Sequence, residues 1–248
     1  MVFEPDEKMK NKMSKDGSVL KFMYSVAGLG KGLAAAGGML VGIGVLLGVV
    51  FQMTLEMEMI QILMFAGAFV IPGILLVLGG VKLQKTRDGK WLIKYEKDTG
   101  LPEAEILKAD QEFREPGTIL FSFEKQKDTN SLKKMGFITT HYIKMPGIGV
   151  SMARMEDLVA CFYTNKFRCQ DGGYDRAFVA YSNDKKMAFI NTSIKEKDAV
   201  EIVQAVVKRN PSVIHDHHFM YENKEYDAAR DMDEVIALHN QVTGAGKS

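Results

Sequence analysis

Residues 32–81 read GLAAAGGMLVGIGVLLGVVFQMTLEMEMIQILMFAGAFVIPGILLVLGGV. Gly32 to Leu55 is a run of 24 residues without a charge, and Met59 to Val81 is a second run of 23. At about 1.5 Å of rise per residue, either run forms a helix of about 35 Å, longer than the roughly 30 Å hydrocarbon core of a bilayer. The stretch therefore predicts a helical hairpin that crosses a membrane, with spans at about 32–55 and 59–81.

Basic residues lie on one side of this hairpin only. The arm before the first span and the exit from the second carry Lys8, Lys10, Lys12, Lys15, Lys21, Lys31, Lys82, Lys85, Arg87 and Lys90. The only charged residues in the turn between the spans are the acidic residues Glu56 and Glu58. Because basic residues are retained on the cytoplasmic side, we expect a multi-pass protein of the cell membrane with both termini in the cytoplasm. Neither span contains an ionisable residue, which argues against an ion or proton path.

The first span carries small residues at four-residue spacing, a pattern that lets two helix backbones approach closely. The positions are Ala34, Gly38, Gly42, Gly44 and Gly48. The partner is either the second span or the same face of another copy, and the short turn favours the second span. Pro72 removes a backbone donor in the middle of the second span and predicts a kink there.

Four regions follow from this pattern. They are a cytoplasmic N-terminal arm at 1–24, the hairpin at 25–83, a cytoplasmic domain at 84–213 and a polar tail with a short helix at 214–248. We expect the start of the arm to be disordered and residues 18–24 to join the first helix or lie at the interface. A net charge of +1 gives no basic field for nucleic acid. Cys161 and Cys169 are expected to be reduced in the cytosol.

The cytoplasmic domain shows a change of periodicity near Thr118. Residues 101–113 predict a helix that begins near Thr99 or Gly100, whereas residues 91–95 fit either a short strand or a helix. About six strands follow, at 119–123, 135–145 (one strand or a pair), 150–154, 158–163, 177–181 and 187–190. Ser193 then caps a helix at 195–209, whose apolar stripe includes Ala199, Ile202 and Val206. The class is α+β.

Three segments of the domain resemble a known family. They are GFITTHYIKMPGIGVSMARMEDLVACFYTN at 136–165, AFVAYSNDKKMAFINTS at 177–193 and KEKDAVEIVQAVVKRNP at 195–211. Over about residues 117–210 the chain resembles bacterial pleckstrin-homology-like (PH-like) domains, above all the membrane-anchored versions with two spans ahead of the domain. The resemblance implies an antiparallel sheet or partly open β-barrel, capped by a C-terminal helix, that binds rather than catalyses. The helix at 101–113 lies outside this core.

Two sets of side chains are candidates for contact with a ligand. The basic pairs Lys133-Lys134 and Lys185-Lys186 lie in predicted turns, where they either touch a partner or anionic lipid or are simply solvated. His215 and His218 are candidate metal ligands, completed by His239 with Asp231 or Glu234; the alternative is a solvated linker. No GxSxG, HExxH or phosphate-loop motif is present, so we predict no cofactor and no catalytic residue.

Three functions follow in order of preference. The first is a membrane-anchored, non-enzymatic binding module whose PH-like domain recruits a protein partner or a lipid headgroup. The second is an accessory subunit of a larger membrane assembly, such as an exporter or envelope complex, or a homo-oligomer, with the glycine face of the first span as the interface. The third is a membrane-bound metal-dependent enzyme that uses the histidine cluster.

Overall fold

The computed structural model describes residues 1–15, 17–24, 27–54, 59–88, 90–123, 132–147, 150–169 and 172–244. It divides into two compact units, an α+β domain made of Met1–Tyr24 with Leu92–Ser248, and a helical hairpin made of Ser25–Trp91. The N-terminal arm is therefore part of the domain that follows the hairpin. The predicted turns at 56–58 and 128–130 lie outside the described residues.

The hairpin consists of helices α3 (Ala27–Thr54) and α4 (Met59–Asp88). Within them, Gly32–Met53 and Met59–Lys82 are long and apolar enough to cross a membrane, as predicted. Only 11% and 6% of their most apolar windows are buried, whereas a helix in the core of a soluble protein would be mostly covered. Pro72 lies inside α4, which continues on both sides of it.

The arm is ordered, so the prediction that its start is disordered is wrong. Strand β1 (Val2–Phe3) pairs antiparallel with strand β2 (Ile119–Phe121). Helix α1 (Glu7–Met13) is capped by Asp6, whose carboxylate accepts from the Met9 amide at 2.7 Å. Helix α2 (Val19–Tyr24) is a separate element rather than the beginning of the first span. Long-range pairing with the domain supplies the order that local sequence lacks.

Two further helices connect the hairpin to the sheets. Residues 91–95 are helical and belong to α5 (Trp91–Thr99), which resolves the alternative left open by the sequence. Gly100 ends α5 with a φ of +71°, the left-handed conformation common after a helix. Thr99 and Gly100 thus terminate α5 instead of starting the next helix. The predicted helix at 101–113 is present as α6 (Glu103–Glu112).

The strands form two antiparallel meanders. The first sheet has the order β1-β2-β3-β4-β5, with β3 (Gly136–Ile138), β4 (Tyr142–Lys144) and β5 (Met152–Arg154). The second sheet has the order β6-β7-β8, formed by β6 (Leu158–Arg168), β7 (Tyr174–Ser182) and β8 (Ala188–Asn191). Residues 135–145 are therefore a strand pair. Among the described residues, the two sheets do not join into a closed barrel.

Helix α7 (Glu196–Arg209) closes the core between the two sheets. Its predicted stripe of Ala199, Ile202 and Val206 is fully buried, as expected for an amphipathic helix on a sheet. The predicted Ser193 cap is wrong, because Lys195 occupies the N-cap position without a side-chain hydrogen bond. The Ser193 amide instead donates to the side chain of Asn191 in the turn after β8.

The region after residue 213 forms a second layer of the domain. A hairpin of β9 (His218–Tyr221) and β10 (Lys224–Asp227) precedes helix α8 (Met232–Thr243), which matches the predicted tail helix. The hairpin was not predicted. Its turn residues Glu222 and Asn223 both have positive φ, as a tight two-residue turn requires. This layer buries the second face of β6 and β7, which explains why those strands read as apolar runs without alternation.

Candidate functional site

A cleft of about 340 Å³ opens where α6, β4, β5 and the end of α7 meet. Its charged walls come from four separate segments of the domain. We call it the α6 cleft and define it by Glu105, Lys108, His141, Tyr142, Arg154 and Arg209. Because no two of these segments are continuous in sequence, the cleft has no local motif.

The floor of the α6 cleft is a set of three side chains joined by one hydrogen bond and one ion pair. The Tyr142 hydroxyl donates to the Glu105 carboxylate, and the Arg154 Nε lies 3.4 Å from the same carboxylate. The pKa of Glu105 lies below its usual range, mainly because its carboxylate accepts the hydrogen bond from Tyr142. Burial, together with that carboxylate, raises the pKa of Tyr142 far above its ordinary value. Glu105 is therefore ionised and Tyr142 protonated at neutral pH.

Glu112 holds the turn that presents His141 to the cleft. Its carboxylate accepts from the Thr139 hydroxyl at 3.0 Å and from the His141 backbone amide at 3.1 Å. The other carboxylate oxygen lies 2.7 Å from His141 Nδ1. The Glu112 side chain is 7% exposed and the His141 side chain 62% exposed. A buried acid thus fixes a solvent-facing imidazole at the mouth of the cleft.

Positive charge predominates in the α6 cleft. Both of its carboxylates, Glu105 and Glu156, lie within 3.4 Å of Arg154. The Arg209 guanidinium donates to the backbone carbonyls of Ala205 at 2.9 Å and Gly117 at 2.7 Å, acceptors that carry no net charge. Lys108 Nζ lies 6.0 Å above the Tyr142 ring. Chemically, the cleft fits an anionic group such as a phosphate or a carboxylate.

The structure gives the four predicted turn lysines different surroundings. Lys185 pairs with Asp233 of α8, and the Lys186 ammonium lies against Gly100 at the end of α5. Lys133 Nζ lies 5.6 Å above the Phe22 ring, whereas the Lys134 side chain is exposed. Three of the four lysines therefore contact their own domain. By contrast, Lys108, Arg154 and Arg209, which no sequence pattern singles out, all line the α6 cleft.

The histidine prediction is only partly matched by the geometry. His215 Nδ1 lies 3.3 Å from the Val213 carbonyl, and His215 does not share a ligand cluster with His218. His239 and Asp231 are likewise outside that cluster, as is Glu234, which pairs with Lys224. His218 instead lies next to His217 and Asp227, a carboxylate 9 positions later. The cross-strand register of the missed hairpin brings them together.

The small residues of the first span divide into two faces. Gly44 lies against Ala66 and Val70 of α4, where an added Cβ would be 2.9 Å from either residue, and Gly48 contacts the same helix. These two positions therefore face the second span. A Cβ at Gly38 or Gly42 would meet no atom within 4 Å, and Ala34 is half-buried. Gly37 and Gly73, which approach each other's carbonyls, were missed.

Comparison of this chain with protein-family models, with curated proteins and with solved structures finds no match in any of the three.

Proposed function

We propose that this chain is a membrane-anchored, non-enzymatic binding module. In this proposal α3 and α4 cross the cell membrane, and the α+β domain binds an anionic group of a protein partner or a lipid headgroup at the cytoplasmic surface. Tethering raises the local concentration of the domain at the membrane, so that weak individual contacts suffice.

One observation carries the proposal: the hairpin is inserted into a domain that is built from the chain on both of its sides. Two apolar helices of 22 and 24 residues, nearly unburied, leave the domain at Tyr24 and return to it at Leu92. A domain completed by both flanking segments requires both ends of the hairpin on one side of the bilayer. This agrees with the lysine distribution, which favours the cytoplasmic side for both termini.

The order of elements supports a PH-like domain. The resemblance implies a strand that carries a Thr-rich segment, then a short strand, an acidic step, a strand, a hairpin and a closing helix. In the chain, Thr139 and Thr140 lie between β3 and β4, and β5, residues 155–157, β6, the β7–β8 pair and α7 follow in that order. In this proposal β1, α6 and the layer of β9, β10 and α8 are additions to that core.

The α6 cleft is the proposed binding site within this domain. Lys108 and Arg209 line the α6 cleft, with Glu105 near Lys108 and Glu4 near Arg209, and His141 stands exposed at its mouth. A phosphate or carboxylate that enters the cleft gains charge-assisted hydrogen bonds, which are about twice as strong as neutral ones. The same chemistry is available from a phospholipid headgroup and from an acidic protein segment.

Cross-linking of the full-length protein in native membranes, followed by mass spectrometry of captured proteins and of co-purified lipids, tests the proposal. We expect Lys108→Glu to lose a captured protein or an enriched anionic lipid that the original protein retains. Lys185→Glu is the matched control, because the Lys185 charge is already paired with Asp233. Capture that is equal in the original protein and in Lys108→Glu would refute the α6 cleft as the site. A full-length chain that stays monodisperse without detergent would refute the anchor.

A second candidate function is that of a subunit in a larger membrane assembly. It is favoured by Gly38 and Gly42, which are exposed on α3 and have open space around them. Small residues four positions apart allow a helix of another chain to approach closely within a membrane. Under this alternative the double variant Gly38→Leu, Gly42→Leu loses captured membrane proteins, whereas Lys108→Glu retains them. Under the first function the two variants behave in the opposite way.

A further inference from the structure

Two imidazoles and a carboxylate converge at the base of the β9–β10 hairpin. His218 and Asp227 are directly opposite each other in the hairpin register, and His217 immediately precedes the first strand. One ligand atom from each of the three side chains lies within 4.8 Å of the other two. The turn at Glu222 and Asn223 sets this register, so the hairpin itself brings the ends of the segment together.

The His217 ring is held from two sides. It stacks on the Phe162 ring with centroids 5.5 Å apart and an interplanar angle of 16°. Its Nδ1 lies 3.0 Å from the Thr164 hydroxyl, and its Nε2 lies 3.0 Å from Asp227 Oδ1. A ring whose Nδ1–H donates to a hydroxyl oxygen presents its Nε2 lone pair towards the cluster, the arrangement typical of metal-bound histidines.

Asp227 is also fixed in place. Its Oδ1 accepts from the backbone amides of Ala229 at 2.9 Å and Arg230 at 3.0 Å, which holds the carboxylate at the mouth of the hairpin. His218 is the most exposed member of the cluster, with a side chain that is 46% exposed. Its ring centroid lies 4.1 Å from that of His217, so the two imidazoles are adjacent.

We propose that His217, His218 and Asp227 bind a divalent transition metal ion of the zinc class. Two imidazole nitrogens and one carboxylate oxygen suit Zn²⁺, Co²⁺ or Ni²⁺ rather than Mg²⁺ or Ca²⁺, which prefer oxygen ligands alone. The cluster lines an open cleft of about 830 Å³, which leaves room for water or a further ligand on the ion. The ion joins both ends of the hairpin and, through His217 and Thr164, connects the hairpin to β6. This site is independent of the α6 cleft and of the proposed anchor.

Titration of tag-free, full-length protein in detergent with Co²⁺, followed by visible absorption, and with Zn²⁺, followed by calorimetry, tests the site. We expect one ion per chain and a Co²⁺ spectrum with nitrogen and oxygen ligands. His218→Ala is expected to raise the Kd for Zn²⁺ at least tenfold, because it removes one of three protein ligands from an exposed position. His215→Ala is the matched control, since His215 is nearby, exposed and outside the cluster; its Kd should equal that of the original protein.

A second variant tests the orienting hydrogen bond without touching a ligand. Thr164→Val removes the partner of His217 Nδ1, and loss of such an outer contact typically weakens metal binding about 10–100-fold. The proposal is overturned if the original protein binds neither ion, or if His218→Ala and His215→Ala bind Zn²⁺ equally well. In either case the two contacts of His217 are structural. The contact with Asp227 closes the hairpin, and the contact with Thr164 holds the hairpin on β6.

Discussion

The Ser18 hydroxyl donates to the buried Asp110 carboxylate at 2.8 Å, although the two residues are 92 positions apart. The same carboxylate oxygen accepts from the Leu20 amide at 2.9 Å, at the beginning of α2. Lys10 adds a parallel contact by donating to the carbonyls of Arg114 and Glu115, at 3.1 Å and 3.0 Å. The chain before the apolar hairpin is thus connected to the chain after it by polar groups within the domain.

Asp110→Ala is expected to destabilise the domain. The change leaves the Leu20 amide and the Ser18 hydroxyl buried without their acceptor, which typically costs about 1–3 kcal/mol. Asp98→Ala is the control, because its pair with Lys94 is on the surface and contributes about 1 kcal/mol or less. Thermal unfolding in detergent, followed by circular dichroism, compares the two. Equal shifts in Tm would contradict a structural role for Asp110.

The α+β domain is expected to fold without the hairpin but not without the arm. The Tyr24 and Tyr95 rings pack edge to face with centroids 6.3 Å apart, so Tyr24 and Leu92 can be joined by about six Gly and Ser residues that span roughly 13 Å. This joined chain should be monomeric and cooperative in unfolding without detergent. Residues 92–248 alone should aggregate, because they lose the buried Met13 and Leu20. A well-folded 92–248 fragment would show that the arm is dispensable.

Local patterns were sufficient for most of the fold. The two spans, the helices α6, α7 and α8, and most of the strands between residues 118 and 213 follow directly from apolar periodicity. The exceptions are β3 and β4, since residues 135–145 fitted either one strand or a pair. The arm was misjudged because β1 and α1 are short and gain their order from contacts with β2 and residues 114–115. The β9–β10 hairpin was missed because its turn, Glu222-Asn223, lacks the glycine that usually signals such a turn.

Candidate sites were harder to predict than elements. Of the small residues in the first span, Gly37, Gly44 and Gly48 lie on the side of α3 that meets α4, whereas Gly38 and Gly42 do not. The spacing of small residues alone does not determine which side this is. Proximity in sequence suggested His215 as the partner of His218 in a metal site. The strand register that places Asp227 opposite His218 cannot be seen in the sequence, because the β9–β10 hairpin was not predicted. The charged residues of the α6 cleft come from four elements, and only the tertiary fold brings them together.

Gly37→Leu is expected to disrupt the hairpin, whereas Gly38→Leu is expected to be tolerated. A Cβ at Gly37 would lie 2.5 Å from the Gly73 carbonyl oxygen and 2.8 Å from the Val77 amide, contacts that backbone cannot relieve without separating the helices. A Cβ at Gly38 meets no atom within 4 Å. The Tm of each variant in detergent measures the difference. Equal loss of stability in both would argue against the packing face described for α3.

Lys144 is expected to make the domain more stable at high pH. Its side chain is buried and donates to the Met145 carbonyl at 3.1 Å, and burial lowers the pKa of its ammonium to about 8. The unfolded chain binds this proton more tightly than the folded one, so stability rises as pH increases from about 8 to about 10.5. The full difference corresponds to roughly 3 kcal/mol. Lys144→Met should abolish this rise, as measured by urea unfolding across that range; an unchanged pH dependence would contradict the assignment.

His239 is expected to make the domain less stable at low pH. The imidazole is 6% exposed on α8, and it has a polar contact with the backbone of Ser212. Burial lowers the pKa of His239, so the folded domain holds the ring neutral where the unfolded chain, with a pKa of about 6.5, takes up a proton. The contribution of His239 to stability is therefore present above about pH 6.5 and is lost below it, by up to about 1.4 kcal/mol per pH unit. His239→Leu should show a shallower fall between about pH 6.5 and pH 5 than the original protein, whereas His215→Gln, at an exposed position, should not. Parallel curves for the original protein and His239→Leu would show that α8 tolerates a charged ring.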